Sequence, residues 1–124
     1  NDTIDILDPF IINLGIDFVV KPTSGIDKFT LLDSCVAALT KKYATAFYIG
    51  EHFNISDVYQ ELKNVKGVLD VVKVKLNNKT GANYSGVVID INNNFSPEGT
   101  MLIAPKNTIF EIKYPTTDIR GKIR

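Results

Sequence analysis

The chain has 124 residues, of which 44% are hydrophobic and 23% are charged, as is typical of one globular domain. Fourteen Lys plus Arg balance fourteen Asp plus Glu, so the chain lacks the basic excess typical of nucleic-acid-binding proteins. No apolar stretch approaches the roughly 20 residues that span a bilayer. Composition therefore excludes a membrane span and argues against a nucleic acid as partner.

The single cysteine, Cys35, cannot form an internal disulfide, and no basic-then-apolar signal peptide precedes the first elements. These features are typical of a protein that is cytosolic or that is assembled in a cytosol. The chain begins with Asn rather than Met, which suggests a fragment of a longer protein. Composition alone indicates no more than a mixed α and β domain.

The first half of the chain predicts a strand, two helices and a second strand. Residues 11–20 alternate apolar and polar side chains, which indicates a half-buried strand. Apolar side chains recur at helical steps over residues 28–45, where Asp27 is placed as the N-cap. Asn54 or Ser56 is placed to cap a second helix, which Gly67 ends. The Val-rich residues 68–76 predict a strand with one solvated face.

The second half of the chain predicts short strands and a tail. Asn and Gly over residues 77–84 indicate a hairpin connection. Three further strands are predicted over residues 87–91, 101–104 and 108–114, and Pro115 ends the last of them. Residues 116–124 contain Gly121 and four charges with little apolar content, which predicts an extended arm.

Together these elements predict an α+β fold, a two-layer sandwich with two helices on one face of a mostly antiparallel sheet. A C-terminal β meander and an extended arm complete it. The chain is interpreted as one structural domain over residues 1–124, with a β-α-α-β core (1–76), the meander (77–115) and the arm (116–124). The predicted core takes one face of each element and comprises Leu14, Ile16, Phe18, Leu32, Val36, Leu39, Leu62, Val65, Val72 and Val74.

Few residues could carry catalysis or bind a metal. His52 is the only histidine, and with Cys35 and an Asp it could form a nucleophilic set. Cys35, however, falls in the apolar stripe of the first predicted helix, where a thiol behaves as a small hydrophobic residue. No His or Cys ligands recur at a metal-binding spacing, and Gly81, Gly86 and Gly99 are too far apart for a phosphate-binding loop. We therefore predict no catalytic, cofactor-binding or metal-ligating residue and no cofactor.

Two surface features leave alternatives open. Asn-x-Ser/Thr sequons begin at Asn54, Asn78, Asn83 and Asn94, among others, which fits either glycosylation of a secreted protein or an Asn-rich set of turns. Basic side chains in the second half are either solvated or contact an acidic neighbour. They are Lys79, Lys106, Lys113, Arg120, Lys122 and Arg124.

Several stretches resemble one viral family. Residues 48–51 (YIGE), 55–59 (ISDVY) and 65–71 (VKGVLDV), after the first strand and capped helix, resemble the C-terminal part of the baseplate J-like proteins of contractile phage tails. The most telling feature is a short helix that ends at Gly67 and turns directly into a strand. Residues 96–121 are similar to the end of the large baseplate wedge protein of T4-like myophages.

The resemblance implies a structural, non-enzymatic virion component, in which the domain mediates dimerisation and joins neighbouring wedges around the tail hub. Its implied partners are a second copy and other baseplate wedge proteins, with no nucleic acid, membrane or small-molecule substrate. Its implied location is the tail baseplate, assembled in the host cytoplasm. The alternative is a small intracellular ligand-binding or adaptor module of α+β fold. We expect the interface to use an exposed sheet edge and the arm over residues 116–124.

Overall fold

The computed structural model describes residues 9–45 and 47–124 and has an α+β fold, as predicted. A 3₁₀ turn at Asn92–Asn94 lies in the connection before the strand that begins at Met101. In chain order the elements are β1 (Phe10–Pro22), α1 (Lys28–Lys42), β2 (Phe53–Asn54), α2 (Ile55–Lys63), β3 (Val68–Asn78), β4 (Met101–Leu102), β5 (Thr108–Glu111), α3 (Pro115–Asp118) and β6 (Ile119–Ile123).

The long strand β1 is the centre of the main sheet. Its even-numbered side chains from Ile12 to Val20 are at most 2% exposed, and they form the core beneath the helices. We call this side of the sheet the inner face. Because successive side chains of a strand point to opposite sides, the odd-numbered residues of β1 lie on the other side, the outer face.

The main sheet is mixed rather than mostly antiparallel. β3 pairs antiparallel with β1 on one side. On the other side of β1, β5 pairs parallel with its first residues and β6 pairs parallel with its last residues. The short helix α3 separates β5 from β6, so the two strands follow one another along the same edge of β1. β2 and β4 form a separate two-stranded antiparallel sheet.

Both main helices begin at the predicted caps. Asp27 Oδ2 accepts hydrogen bonds from Thr30 N at 3.1 Å and from Thr30 Oγ1 at 2.6 Å. Asn54 Oδ1 accepts one from Ser56 N at 2.9 Å, so Asn54 rather than Ser56 caps α2. α1 contacts β6 and α2 contacts β3. One helix therefore lies over the β6 edge of β1 and the other over its β3 edge.

Gly67 lies in the turn between α2 and β3, at the join that the sequence singles out. Its φ of +102° is a left-handed conformation that side chains rarely adopt. A Cβ at this position would also lie 3.0 Å from Ile26 and 3.1 Å from Leu31. The direct turn from helix to strand therefore requires glycine, both for its backbone and for its lack of a side chain.

Residues 116–124 are not an extended arm, and the prediction for this segment was wrong. They form α3 and β6, and Ile119 is only 2% exposed. Gly121 lies directly beside the ring of Phe18 on the neighbouring strand, where any Cβ would collide with that ring. Phe18 thus supplies the apolar surface that Gly121 lacks. Residues 116–124 can therefore pack against the sheet, because Phe18 of β1 contributes the apolar surface that is buried there.

The predicted meander over residues 77–115 was also wrong in most of its detail. Residues 79–91 contain no strand, because side chains replace the expected ladder. Asn78 Oδ1 accepts a hydrogen bond from Ile89 N at 2.9 Å, and Asn78 Nδ2 donates to Val87 O at 3.3 Å. Of the strands predicted over residues 101–104 and 108–114, only the first parts form, as β4 and β5. Asn107, at φ 60°, turns the chain between them.

The predicted core is correct on β1 and is shifted on α1 and at Val72 of β3, where the neighbouring Val71 is the buried residue. Buried α1 residues are Leu31, Cys35 and Leu39, whereas Phe29 is 80% exposed. The contacting face of α1 thus lies beside the predicted stripe. Of the ten predicted core residues, Leu14, Ile16, Phe18, Leu39, Leu62 and Val74 are buried, and Leu32, Val36, Val65 and Val72 are partly buried.

Candidate functional site

One end of the sheet exposes four large apolar side chains, which we call the apolar end. Here β1 and β5 begin together, since Phe10 N donates to Asn107 O at 2.9 Å. The loop after α1 reaches the same place, because Gly50 N donates to Thr108 O at 2.8 Å. The apolar end comprises Phe10 (58% exposed), Ile11 (37%), Tyr48 (79%) and Ile49 (59%).

A closed turn holds the loop of the apolar end. Tyr48 N donates to Glu51 Oε1 at 2.8 Å, and Glu51 N donates back to Tyr48 O at 3.0 Å. Gly50 occupies the left-handed region at φ +77°, which lets the chain reverse between them. Tyr48 and Ile49 are therefore held outward by local hydrogen bonds rather than by packing.

An aromatic stack lies next to this loop. The ring centroids of Tyr43, Phe47 and Phe53 lie 5.1–5.9 Å from one another, and Phe53 is fully buried. Burial, together with the nearby charges of Asp57 and Glu61, raises the pKa of the Tyr43 hydroxyl. The stack connects the exposed loop to the core, so the apolar end rests on a firmly packed base.

A second surface lies on the outer face of the sheet, beside the last residues of β1. A groove of about 460 Å³ opens there between β3 and β6. The charges of β6 are visible in the sequence, but nothing in the sequence connects them to those of β3, because only the pairing of both strands with β1 brings them together. The four cations that line it, which we call the basic face, are Lys73, Lys75, Arg120 and Lys122.

The structure gives His52 and Cys35 different environments. His52 lies in the loop before β2, and its Nδ1 accepts a hydrogen bond from Ala104 N at 2.8 Å. This bond ties the loop to the chain after β4. Cys35 is fully buried in α1, and burial raises the pKa of its thiol to about 11. No hydrogen bond joins the two side chains, and the absence of catalysis by either stays a prediction.

The sequon asparagines carry out local structural roles. Asn54 caps α2, Asn78 bonds to residues 87 and 89, and Asn94 Nδ2 donates to Asp90 O at 2.7 Å. The carbonyl of Asn83 accepts a hydrogen bond from Lys113 Nζ at 2.7 Å. These contacts favour the interpretation of the Asn cluster as turn-forming residues.

No group of three or more His, Cys, Asp and Glu side chains that could hold a metal ion occurs within residues 9–45 and 47–124. In the same part of the chain no helix is long and apolar enough to cross a membrane. No protein-family model matches the chain, and no curated protein matches it.

Proposed function

We propose that this chain is a structural domain of a contractile-tail baseplate wedge, in which it mediates dimerisation and wedge-to-wedge assembly. The observation that carries the proposal is the apolar end, where Phe10, Ile11, Tyr48 and Ile49 project from a hydrogen-bonded base. The resemblance of residues 48–71 and 96–121 to baseplate proteins supports the same role.

Exposed apolar surface favours association because its burial against a partner releases about 25 cal/mol per Å². The base beneath the apolar end is fixed by the bonds of Gly50 and Phe10, so little conformational entropy is lost when a partner binds. A net charge of zero adds no overall repulsion between copies.

The sheet edges offer a second element of the interface. β3 and β6 each pair with β1 on one side and with no other described strand on the opposite side. Such edges can accept a strand from a neighbouring chain. Since β6 is itself part of the sheet, the expected contribution of residues 116–124 to assembly now comes from an edge strand and not from a free arm.

Sedimentation equilibrium of the whole chain, with and without neighbouring wedge proteins, tests the proposal. The double variant Tyr48→Ser/Ile49→Ser should weaken assembly by about tenfold or more, as loss of two interface anchors does. Phe29→Ser is the control, because Phe29 is as exposed as Tyr48 but lies at the start of α1. Assembly of the control should equal that of the unchanged chain.

Two results would contradict the proposal. A chain that stays monomeric at millimolar concentration and does not bind wedge proteins has no assembly role. Equal weakening by the double variant and by Phe29→Ser would show that the apolar end is not the interface.

A further inference from the structure

We propose that the basic face is a docking surface for an acidic segment of a partner polypeptide. The inference rests on the proposed assembly role, since it names the chemistry of one partner. It concerns a different surface from the apolar end, so the two can be tested separately.

Strand register places the charges of the basic face in two rows across the sheet. Asp17 of β1 is paired with Lys75 on β3 and with Arg120 on β6. One step further along β1, Val19 is paired with Lys73 and Lys122. From standard sheet spacings, the cations of one strand lie about 7 Å apart, and the two columns lie about 10 Å apart. Four positive charges thus surround one carboxylate and one apolar side chain.

The positive charge of this surface is not neutralised by the described part of the chain. The side chains of Lys73, Lys75 and Lys122 form no hydrogen bond or ion pair with another described residue. Arg120 Nε donates to a backbone oxygen, that of Thr117, at 3.2 Å, and its charge also acts on the Tyr84 hydroxyl. The surface therefore has a local charge of plus three, although the whole chain has a net charge of zero. Such a patch attracts acidic partners and raises their association rate.

Asp17 determines which acidic partner fits. Its Oδ2 accepts a hydrogen bond from Asn77 Nδ2 of β3 at 2.9 Å, which fixes the position of the carboxylate beside the β3 column of cations. A partner must place carboxylates against the cations and a donor or cation against Asp17. A polypeptide can alternate these groups along its length, whereas a nucleic-acid strand presents a phosphate at each step.

The composition of the groove also favours a polypeptide. Single-stranded nucleic acids bind through stacking on exposed aromatic side chains in addition to charge. Phe18 borders the groove, but it is only 1% exposed because its ring faces the core. Val19, at the centre of the row of lysines, provides a small apolar contact that suits a peptide side chain.

Two labelled ten-residue peptides test the proposal against the full chain by fluorescence anisotropy at low salt. One repeats Glu-Ser, and the other carries Lys at one central Ser. Both should bind, the Lys-containing peptide about threefold more tightly, and binding should weaken with added salt as ion pairs are screened. Lys73→Gln/Lys122→Gln should weaken binding by about tenfold. Asp17→Asn should abolish the preference for the Lys-containing peptide.

The matched control is Lys28→Gln/Lys41→Gln, which removes the same charge from α1, on the inner side of the sheet. It should bind both peptides as the unchanged chain does. Equal weakening by the control, no binding at millimolar peptide, or tighter binding of a thymidine 20-mer than of either peptide would overturn the proposal. Loss of wedge assembly on changing Tyr48 and Ile49, with peptide binding retained, would support separate surfaces. Loss of peptide binding in that variant would overturn the assignment to the basic face.

Discussion

The two halves of β1 have similar inner faces, but their outer faces differ, since one is covered by another segment and the other is open. Along the first half, residues 79–91 cross the outer face and edge of the strand, where Ser85 N donates to Asn13 Oδ1 at 2.8 Å and Ser85 Oγ donates to Ile11 O. From the same segment, the Tyr84 hydroxyl donates a hydrogen bond to Asp118 Oδ1 at 2.6 Å. Along the second half, the outer face is open and carries the basic face.

The difference shows that a sheet can cover one surface with polar side chains while leaving the adjacent surface open. Asn13 is only 1% exposed, and its buried amide is satisfied by Glu111 Oε1 at 2.7 Å and by the amide of Ser85. A buried polar group of this kind is tolerated because its hydrogen bonds are complete. Lysines need water or a charged partner, so the second half stays accessible.

The largest expected effect comes from removing the strand that flanks the second half of β1. Truncation after Pro115 removes β6 and buried Ile119, so we expect loss of cooperative folding, a cost of about 5 kcal/mol or more. Circular dichroism during thermal unfolding measures it. Removal of Arg124 alone is the control and should cost about 1 kcal/mol, since it deletes one bond to Val20 O. A truncated chain that unfolds like the full one would restore the arm interpretation.

A double-mutant cycle sharpens the account of β6. Phe18→Ala should destabilise the domain by about 3–5 kcal/mol, because the ring is buried. Gly121→Ala should cost about 1–3 kcal/mol, because its Cβ would collide with that ring. In Phe18→Ala/Gly121→Ala the collision is gone, so the double variant should cost less than the sum of the two. Chemical denaturation measures all three, and strict additivity would show that the ring does not restrict Gly121.

Asn13 and Asp17 compare the covered and open halves directly. Asn13→Ala should cost about 1–3 kcal/mol, because it leaves Ser85 N without its acceptor in a covered site. Asp17→Ala removes an exposed bond to Asn77 and should change stability by less than about 0.5 kcal/mol. Hydrogen exchange at the Ser85 amide should accelerate only in the Asn13 variant. Equal costs for the two changes would mean that the covering segment adds no stability.

Cys35 reports on the dry inner side beneath the sheet. Its thiol has a reference pKa of 9.0 and a folded pKa of about 11, so between these values the unfolded chain binds fewer protons than the folded one. Stability should therefore fall as pH rises from about 9 to 11, by at most about 1.4 kcal/mol per pH unit. Denaturation of Cys35→Ala across this range should show a smaller fall of stability with pH. Part of the fall that remains is due to Tyr43, whose pKa is also raised. An unchanged slope would refute burial of the thiol.

The smallest effect is expected on the open half. Lys73→Gln should leave stability unchanged or raise it by up to about 0.5 kcal/mol at low salt, because it relieves repulsion among like charges. At high salt the difference should vanish. A loss of more than about 1 kcal/mol would show that Lys73 has a structural contact, which would remove it from the docking surface.

Local signals in the sequence predicted the elements that depend on local interactions. Alternation identified β1 and β3, and polar residues before apolar repeats located the starts of α1 and α2. Asn54 and Asp27 cap their helices through neighbours two and three residues away. The α+β class follows from the same patterns.

Tertiary structure decided the elements whose partners are distant in the chain. The alternation of Ile119, Gly121 and Ile123 with charged residues was a strand signal, but Gly121 concealed it because its packing surface belongs to Phe18. Residues 87–91 had strand composition, yet the side chain of Asn78 binds the backbone of Val87 and Ile89 in place of a strand. The basic face exists only because β1 brings β3 and β6 within two strand spacings of each other. The pairing of Asp17 with Arg120 joins residues about a hundred positions apart in the chain, and no local propensity specifies such a contact.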